Sequence, residues 1–194
     1  MTPKPIRLFV AIELPDDVMA AIGELEDELS REAPHVRWAR PDRVHLTLKF
    51  IGETPPNRLP EIEAALAGLP PWHALDLRTG PLGYFGRPSA LRTIWLGVEG
   101  ALDELRQLQA AVDEALVAAG VVNADDRPYT PHLTLARVPN GIAPDEHARM
   151  AALIKRTQVA PHAFEGHTIT LFRSNLGPQR PRYEALRRFS AFAS

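Results

Sequence analysis

The tetrapeptide His-Leu-Thr-Leu occurs twice, at residues 45 to 48 and again at 132 to 135. Each copy follows a strand and a helix pattern and precedes a helix and a strand pattern, so the chain reads as an internal duplication. A strand points residues i and i+2 to one face, which sends His45 with Thr47, and His132 with Thr134, one way while Leu46, Leu48, Leu133 and Leu135 point into a core. Packing of two such halves about a pseudo-two-fold axis brings two imidazoles and two hydroxyls to one cleft.

The flanking periodicities supply the rest of each half. Arg7 to Glu13 reads as a buried strand, and Pro15-Asp16-Asp17 opens a helix with an apolar stripe of Val18, Ile22, Leu25 and Leu29. On that helix Glu24, Glu26, Asp27 and Glu28 are expected on a solvated face. Val44 to Ile51 is a strand, Pro60 to Ala67 a helix and His73 to Arg78 a strand, and the tract from Gly80 to Pro88 is expected to connect the halves. The order then repeats: strand Thr93 to Val98, helix Ala101 to Ala119 capped by Gly120, strand Pro131 to Val138, helix Pro144 to Lys155, and strands His162 to Glu165 and Thr168 to Arg173.

Composition excludes several classes. With 22 Lys and Arg against 24 Asp and Glu, the formal net charge is -2, so no global positive field draws in long nucleic acid and any such contact is local. The absence of cysteine removes disulfide frameworks, thiolate nucleophiles and thiolate metal sites together. The apolar run after the N-terminus is broken by Glu13, Pro15, Asp16 and Asp17, too early for a signal sequence or membrane span, and the cytoplasm is the default compartment.

Two histidines flanked by hydroxyls suit in-line displacement at phosphorus. An unperturbed imidazole titrates near pH ~6.5, so one ring takes a proton from water while the other gives one to a leaving oxygen. Threonine hydroxyls stabilise charge on the non-bridging oxygens. Neither tetrapeptide contains a carboxylate, a poor ligand set for zinc or a two-metal centre, so no metal and no cofactor is expected. No Gly-Lys-Ser/Thr phosphate loop is found, which disfavours an ATP-dependent ligase.

These residues resemble the two-histidine phosphoesterase superfamily, and their surroundings resemble its RNA 2',3'-cyclic phosphodiesterase branch, also known as LigT or 2'-5' RNA ligase proteins. The matching stretches are Arg7 to Ile12 with Leu14-Pro15, His45 to Glu53, Pro128 to Arg137, and Leu171 to Ser174 running on to Tyr183. The resemblance implies an α+β, bilobal fold with antiparallel sheets lining a central cleft and helices outside. It implies one domain over 1–194, with lobe-forming repeats at about 6–80 and 92–175 and the C-terminal segment completing the fold. It implies His45 as proton donor and His132 as proton acceptor, an assignment that sequence symmetry does not make, with loss of the 3' oxygen leaving a 2'-phosphate. Thr47 and Thr134 complete the catalytic set. Arg137, Phe9, Lys49 and Tyr129 are expected to bind substrate, Arg137 through phosphate and Phe9 against the terminal base. By strict alternation Arg137 shares the face of Leu133 and Leu135, so it needs a strand end or a bulge to reach the cleft. The expected partner is an RNA 3' end bearing a 2',3'-cyclic phosphate, such as a tRNA fragment, or a cyclic nucleotide, bound by a monomer with no membrane involved.

Two other functional classes use the same residues: a ligase or transferase acting on cyclic-phosphate ends, and a non-catalytic RNA-end binding module. Taken singly, a His-Leu-Thr-Leu is a good half-exposed strand; its repetition in equivalent places is what favours catalysis. His35, His73, His147, His162 and His167 lack the threonine partner and are expected to be structural or surface residues. Arg37, Arg40, Arg43 and Lys49 crowd the first motif, where they either receive an RNA backbone or form a solvated edge. Trp38 is a stacking candidate, yet Trp38, Trp72 and Trp95 are all more ordinary as core.

Overall fold

The computed structural model describes residues 4–124, 127–176 and 181–192. Among the described residues nine strands and four α-helices follow in order: β1 Ile6–Glu13, α1 Asp16–Glu32, β2 Arg37–Trp38, β3 His45–Thr54, α2 Leu59–Ala67, β4 Leu75–Arg87, β5 Ala90–Gly100, α3 Leu102–Ala118, β6 His132–Arg137, α4 Pro144–Arg156, β7 Ala163–Gly166, β8 Thr168–Leu176 and β9 Pro181–Ser190. All strands join one antiparallel sheet in the order β7-β4-β5-β6-β3-β1-β8-β9, with β2 paired to β6. The expected α+β architecture is borne out as a curled half-barrel. Among the described residues no helix is long and apolar enough to cross a membrane.

The helices cover one face of the sheet. Leu8, Val10 and Ile12 of β1, Leu46 and Leu48 of β3, and Leu133 and Leu135 of β6 pack against Val18 and Ile22 of α1, Ile62 and Leu66 of α2, and Leu105, Leu108, Val112 and Leu116 of α3 in one buried cluster. A second cluster joins Leu29 and Val36 to Met150, Leu153 and Ile154 of α4 beneath Ile94 and Ala136. α3 ends where the sequence places its stop, with Gly120 at φ 64, a left-handed conformation that costs glycine nothing.

Two local readings, on the tract from Gly80 to Pro88 and on Glu26, are corrected. The tract from Gly80 to Pro88 is not a connector: β4 runs through it to Arg87, and its proline is accommodated where the β4–β5 register shifts between Thr79 and Leu82, at an irregularity that spares a ladder donor. β9 carries no prediction of its own, yet it pairs with β8 along its length; residues 177–180 of that C-terminal stretch lie outside the described ones. Glu26 is 5% exposed, because four residues after Ile22 it falls on the buried stripe of α1 and not on the solvated face. Across the sheet, strands from the two repeats are interleaved. β4 pairs with β5 and β7, while β8 pairs with β1, so each repeat lends its last long strand to the other half.

Candidate active site

The two motif strands meet at a single ladder position, Leu46 opposite Leu133. In an antiparallel pair this register sets His45 against Thr134 and Thr47 against His132, across a strand spacing of ~4.8 Å. Beyond it β3 and β6 diverge, and β2 fills the wedge: the Ala39 amide donates to the Leu135 carbonyl at 2.7 Å, and Trp38 and Arg37 pair with Ala136 and Arg137. The pseudo-two-fold axis therefore passes between the motifs, with both leucines in the core and all four polar side chains on the open face.

Each imidazole is oriented by the carbonyl two residues before it. His45 Nδ1 lies 2.8 Å from the Arg43 carbonyl, and His132 Nδ1 lies 2.8 Å from the Thr130 carbonyl. A carbonyl oxygen only accepts, so Nδ1 carries the proton in both rings and both Nε2 atoms are left for chemistry. The environments differ. His45 stacks on Phe9 at 4.7 Å between ring centroids and meets the edge of Tyr183 at 5.2 Å, while Phe9 stacks in turn on Phe172 at 5.1 Å. Burial in this aromatic nest pushes the His45 pKa down to about 4; the charge of His132 acts the same way, and the Arg43 carbonyl opposes both. His132 sits edge-on to Phe85 at 4.9 Å, with Trp95 at 6.3 Å. Gly83 makes room for that indole: a Cβ there lies 2.2 Å from the Trp95 ring.

Matching bulges decide which neighbours reach the cleft. On β1 and β3, Ala11 faces Thr47 but Val10 faces Lys49, so Leu48 and Lys49 both turn to the helix side and Phe50, opposite Phe9, turns to the cleft. On β5 and β6, Trp95 faces Thr134 but Ile94 faces Ala136, which sends Leu135 and Ala136 to the core and Arg137 to the cleft. The bulge required for Arg137 is thus present, and Phe50 and Arg137 occupy equivalent places in the two halves.

The remaining binding expectations are revised by the same geometry. Lys49 leaves the cleft and forms an ion pair with Asp113 of α3. Phe9 is 3% exposed, enclosed by His45, Phe50, Phe172 and Tyr183, and holds the His45 ring instead of offering a face to a base. The open aromatic surface is Phe50, 59% exposed and 6.1 Å from Phe9. Strand alternation alone does not mark Phe50, although aligning the repeats pairs it with Arg137. Tyr129 donates its hydroxyl to the Thr47 carbonyl at 2.9 Å, which ties the loop before the second motif to the first motif strand, and burial raises its pKa. Of the arginines near the first motif, Arg40 is taken by Asp42 at 3.1 Å. Of the histidines set aside, buried His147 accepts the Leu91 amide at 3.1 Å, and exposed His167 pairs with Glu165 at 2.7 Å. Among the described residues no group of three or more His, Cys, Asp or Glu is placed to hold a metal ion.

A half-barrel with one duplicated histidine and threonine pair on its open face defines a two-histidine phosphoesterase architecture. A model of the 2'-5' RNA ligase superfamily matches residues 14–178, and the chain belongs to that family. An RNA 2',3'-cyclic phosphodiesterase of Thermus thermophilus is 34% identical over 195 residues, covering 95% of this chain and 90% of that protein. One from Geobacillus stearothermophilus is 33% identical over 189 residues, covering 96% of this chain; the chain spans 57% of that longer protein. Among solved structures, E. coli LigT in its apo form shares the fold, with a TM-score of 0.77 over 98% of this chain and 100% of that one at 23% identity. TT0787 of Thermus thermophilus gives a TM-score of 0.66 over 95% and 97%, at 32% identity.

Proposed function

We propose that this chain hydrolyses RNA 2',3'-cyclic phosphate ends to 2'-phosphomonoesters by metal-independent acid and base catalysis at His45 and His132. The observation that carries the reading is the Leu46 to Leu133 register together with two carbonyl-held imidazoles whose Nε2 atoms remain available. His132 Nε2 takes a proton from water as the water oxygen attacks phosphorus; the bond from phosphorus to the 3' oxygen breaks, and His45 Nε2–H protonates that oxygen. Thr47 and Thr134 donate to the non-bridging oxygens, and Arg137, further along β6, contacts a phosphate of the RNA end.

The assignment of donor and acceptor follows the family resemblance, and the burial of His45 sets a condition on it. With a pKa of about 4, His45 is neutral in the empty cleft at neutral pH. An anionic phosphate beside it favours the imidazolium, so the donor is charged by substrate binding. Relatives named RNA 2',3'-cyclic phosphodiesterase, and a LigT structure complexed with 3'-AMP, support an RNA-end nucleotide as the ligand. A cytoplasmic monomer is part of the same proposal.

The test is turnover of a cyclic-phosphate RNA by His45→Ala and His132→Ala, alongside circular dichroism. Both variants are expected to stay folded and to lose turnover by at least ~100-fold, the usual scale of a general acid or base. Undiminished turnover by either one would falsify the role of that histidine.

A further inference from the structure

Arg37 and Arg137 face each other directly across the β2–β6 ladder. Their neighbours Trp38 and Ala136 turn to the core, Ala136 being 1% exposed, so both guanidinium groups lie on the cleft face. Both residues are exposed, and among the described residues neither has a carboxylate partner, in contrast to nearby Arg40 with Asp42. Like charges directly opposite in a sheet are destabilising. A chain with a net charge of -2 nevertheless places two side by side where β3 and β6 part, in the wedge leading away from the histidines. From His132, β6 rises ~3.3 Å per residue toward Arg137, a direction in which a polynucleotide extends and a single nucleotide does not.

Resting on the reading above, we propose that Arg37 completes with Arg137 a second anion subsite that holds the phosphodiester preceding the terminal nucleotide. Arg37 is thereby a specificity residue that favours an RNA end over a cyclic mononucleotide. Guanidinium groups fit a backbone phosphate bidentately and independently of base, so the preference is for chain length and not for sequence.

The experiment compares kcat/KM for an RNA oligomer ending in a 2',3'-cyclic phosphate with that for a 2',3'-cyclic mononucleotide, in wild type and Arg37→Ala. Fluorescence anisotropy of a 3'-phosphorylated oligomer is measured in parallel. The variant is expected to lose roughly tenfold more on the oligomer than on the mononucleotide, the scale of one hydrogen bond to a charged group, and to show a salt slope for oligomer binding shallower by about one. Its thermal midpoint is expected to hold or rise as the like-charge contact goes, which a structural role for Arg37 would not produce. Equal losses on both substrates would overturn the subsite and leave the hydrolase standing. Wild-type protein that turns over neither substrate, yet binds the oligomer through Arg37, would overturn the hydrolase and keep the subsite; no dependence of binding on Arg37 would overturn the subsite.

Discussion

His45 and His132 share a tetrapeptide, a backbone tether and a strand register, and still sit in different surroundings. The difference comes from the side chains packed on each ring: Phe9, Phe172 and Tyr183 around His45, against Phe85 and Trp95 near His132. In the free protein the His45 ring, followed by NMR, is expected to titrate near pH 4 and to move upward when a 2'-phosphorylated nucleotide occupies the cleft. A free-state titration near the ordinary value of ~6.5 would remove the idea that substrate charges the donor. The folded pKa lies below the unfolded one, so the stability tied to neutral His45 is full above pH ~6.5 and is lost as pH falls toward 4. Glu26 has the opposite sign. Burial raises its carboxyl to about 8, and one oxygen finds no hydrogen-bond partner, so its cost is absent below the unfolded carboxylate range, grows as pH rises, and is complete above about 8. Glu26→Gln is therefore expected to raise the thermal midpoint at pH 9 and to leave it nearly unchanged at pH 4.5; equal effects at both would contradict an ionising Glu26.

At the scale of elements, the bulges on β3 and β6 explain why the motifs were legible and several neighbours were not. Alternation sends His45, Thr47, His132 and Thr134 to one face without any knowledge of pairing. Past each motif one inserted residue reverses the parity, and nothing in Leu48-Lys49-Phe50 or Leu135-Ala136-Arg137 announces it. Lys49 thereby becomes a helix anchor. Lys49→Ala leaves Asp113 of α3 unpaired and is expected to cost on the order of 3 kcal/mol in denaturant unfolding, with KM for a cyclic-phosphate RNA little changed. A selective rise in KM without loss of stability would return Lys49 to the cleft. In β4 the constraint is steric: Gly83→Ala places a methyl 2.2 Å from the Trp95 ring. Its expected signature is a shifted Trp95 fluorescence and reduced turnover, because the indole borders His132; wild-type behaviour in both would show that the ring gives way freely.

For the whole molecule, the repeat gave the number of halves and brought the two motifs to one cleft, because both follow from local periodicity, whereas the α+β class came with the family resemblance. The exchange of β4 and β8 between the halves did not follow, since strand pairing is a non-local choice among similar apolar runs. Nor did the polarity of the cleft: an aromatic lip at Phe50 and a cationic lip at Arg137 arise at equivalent positions, and that broken symmetry makes the two ends of the cleft chemically different.

The central claim is metal-independent opening of a cyclic phosphate by a unique donor and a unique acceptor. Its most direct test incubates the protein in EDTA with an RNA oligomer ending in a 2',3'-cyclic phosphate and resolves 2'- from 3'-phosphate products. Conversion to the 2'-phosphate alone, abolished in His45→Ala and in His132→Ala, is the predicted result. Joined RNA ends would instead identify a ligase, and tight end binding without turnover would identify a binding module; either contradicts the account.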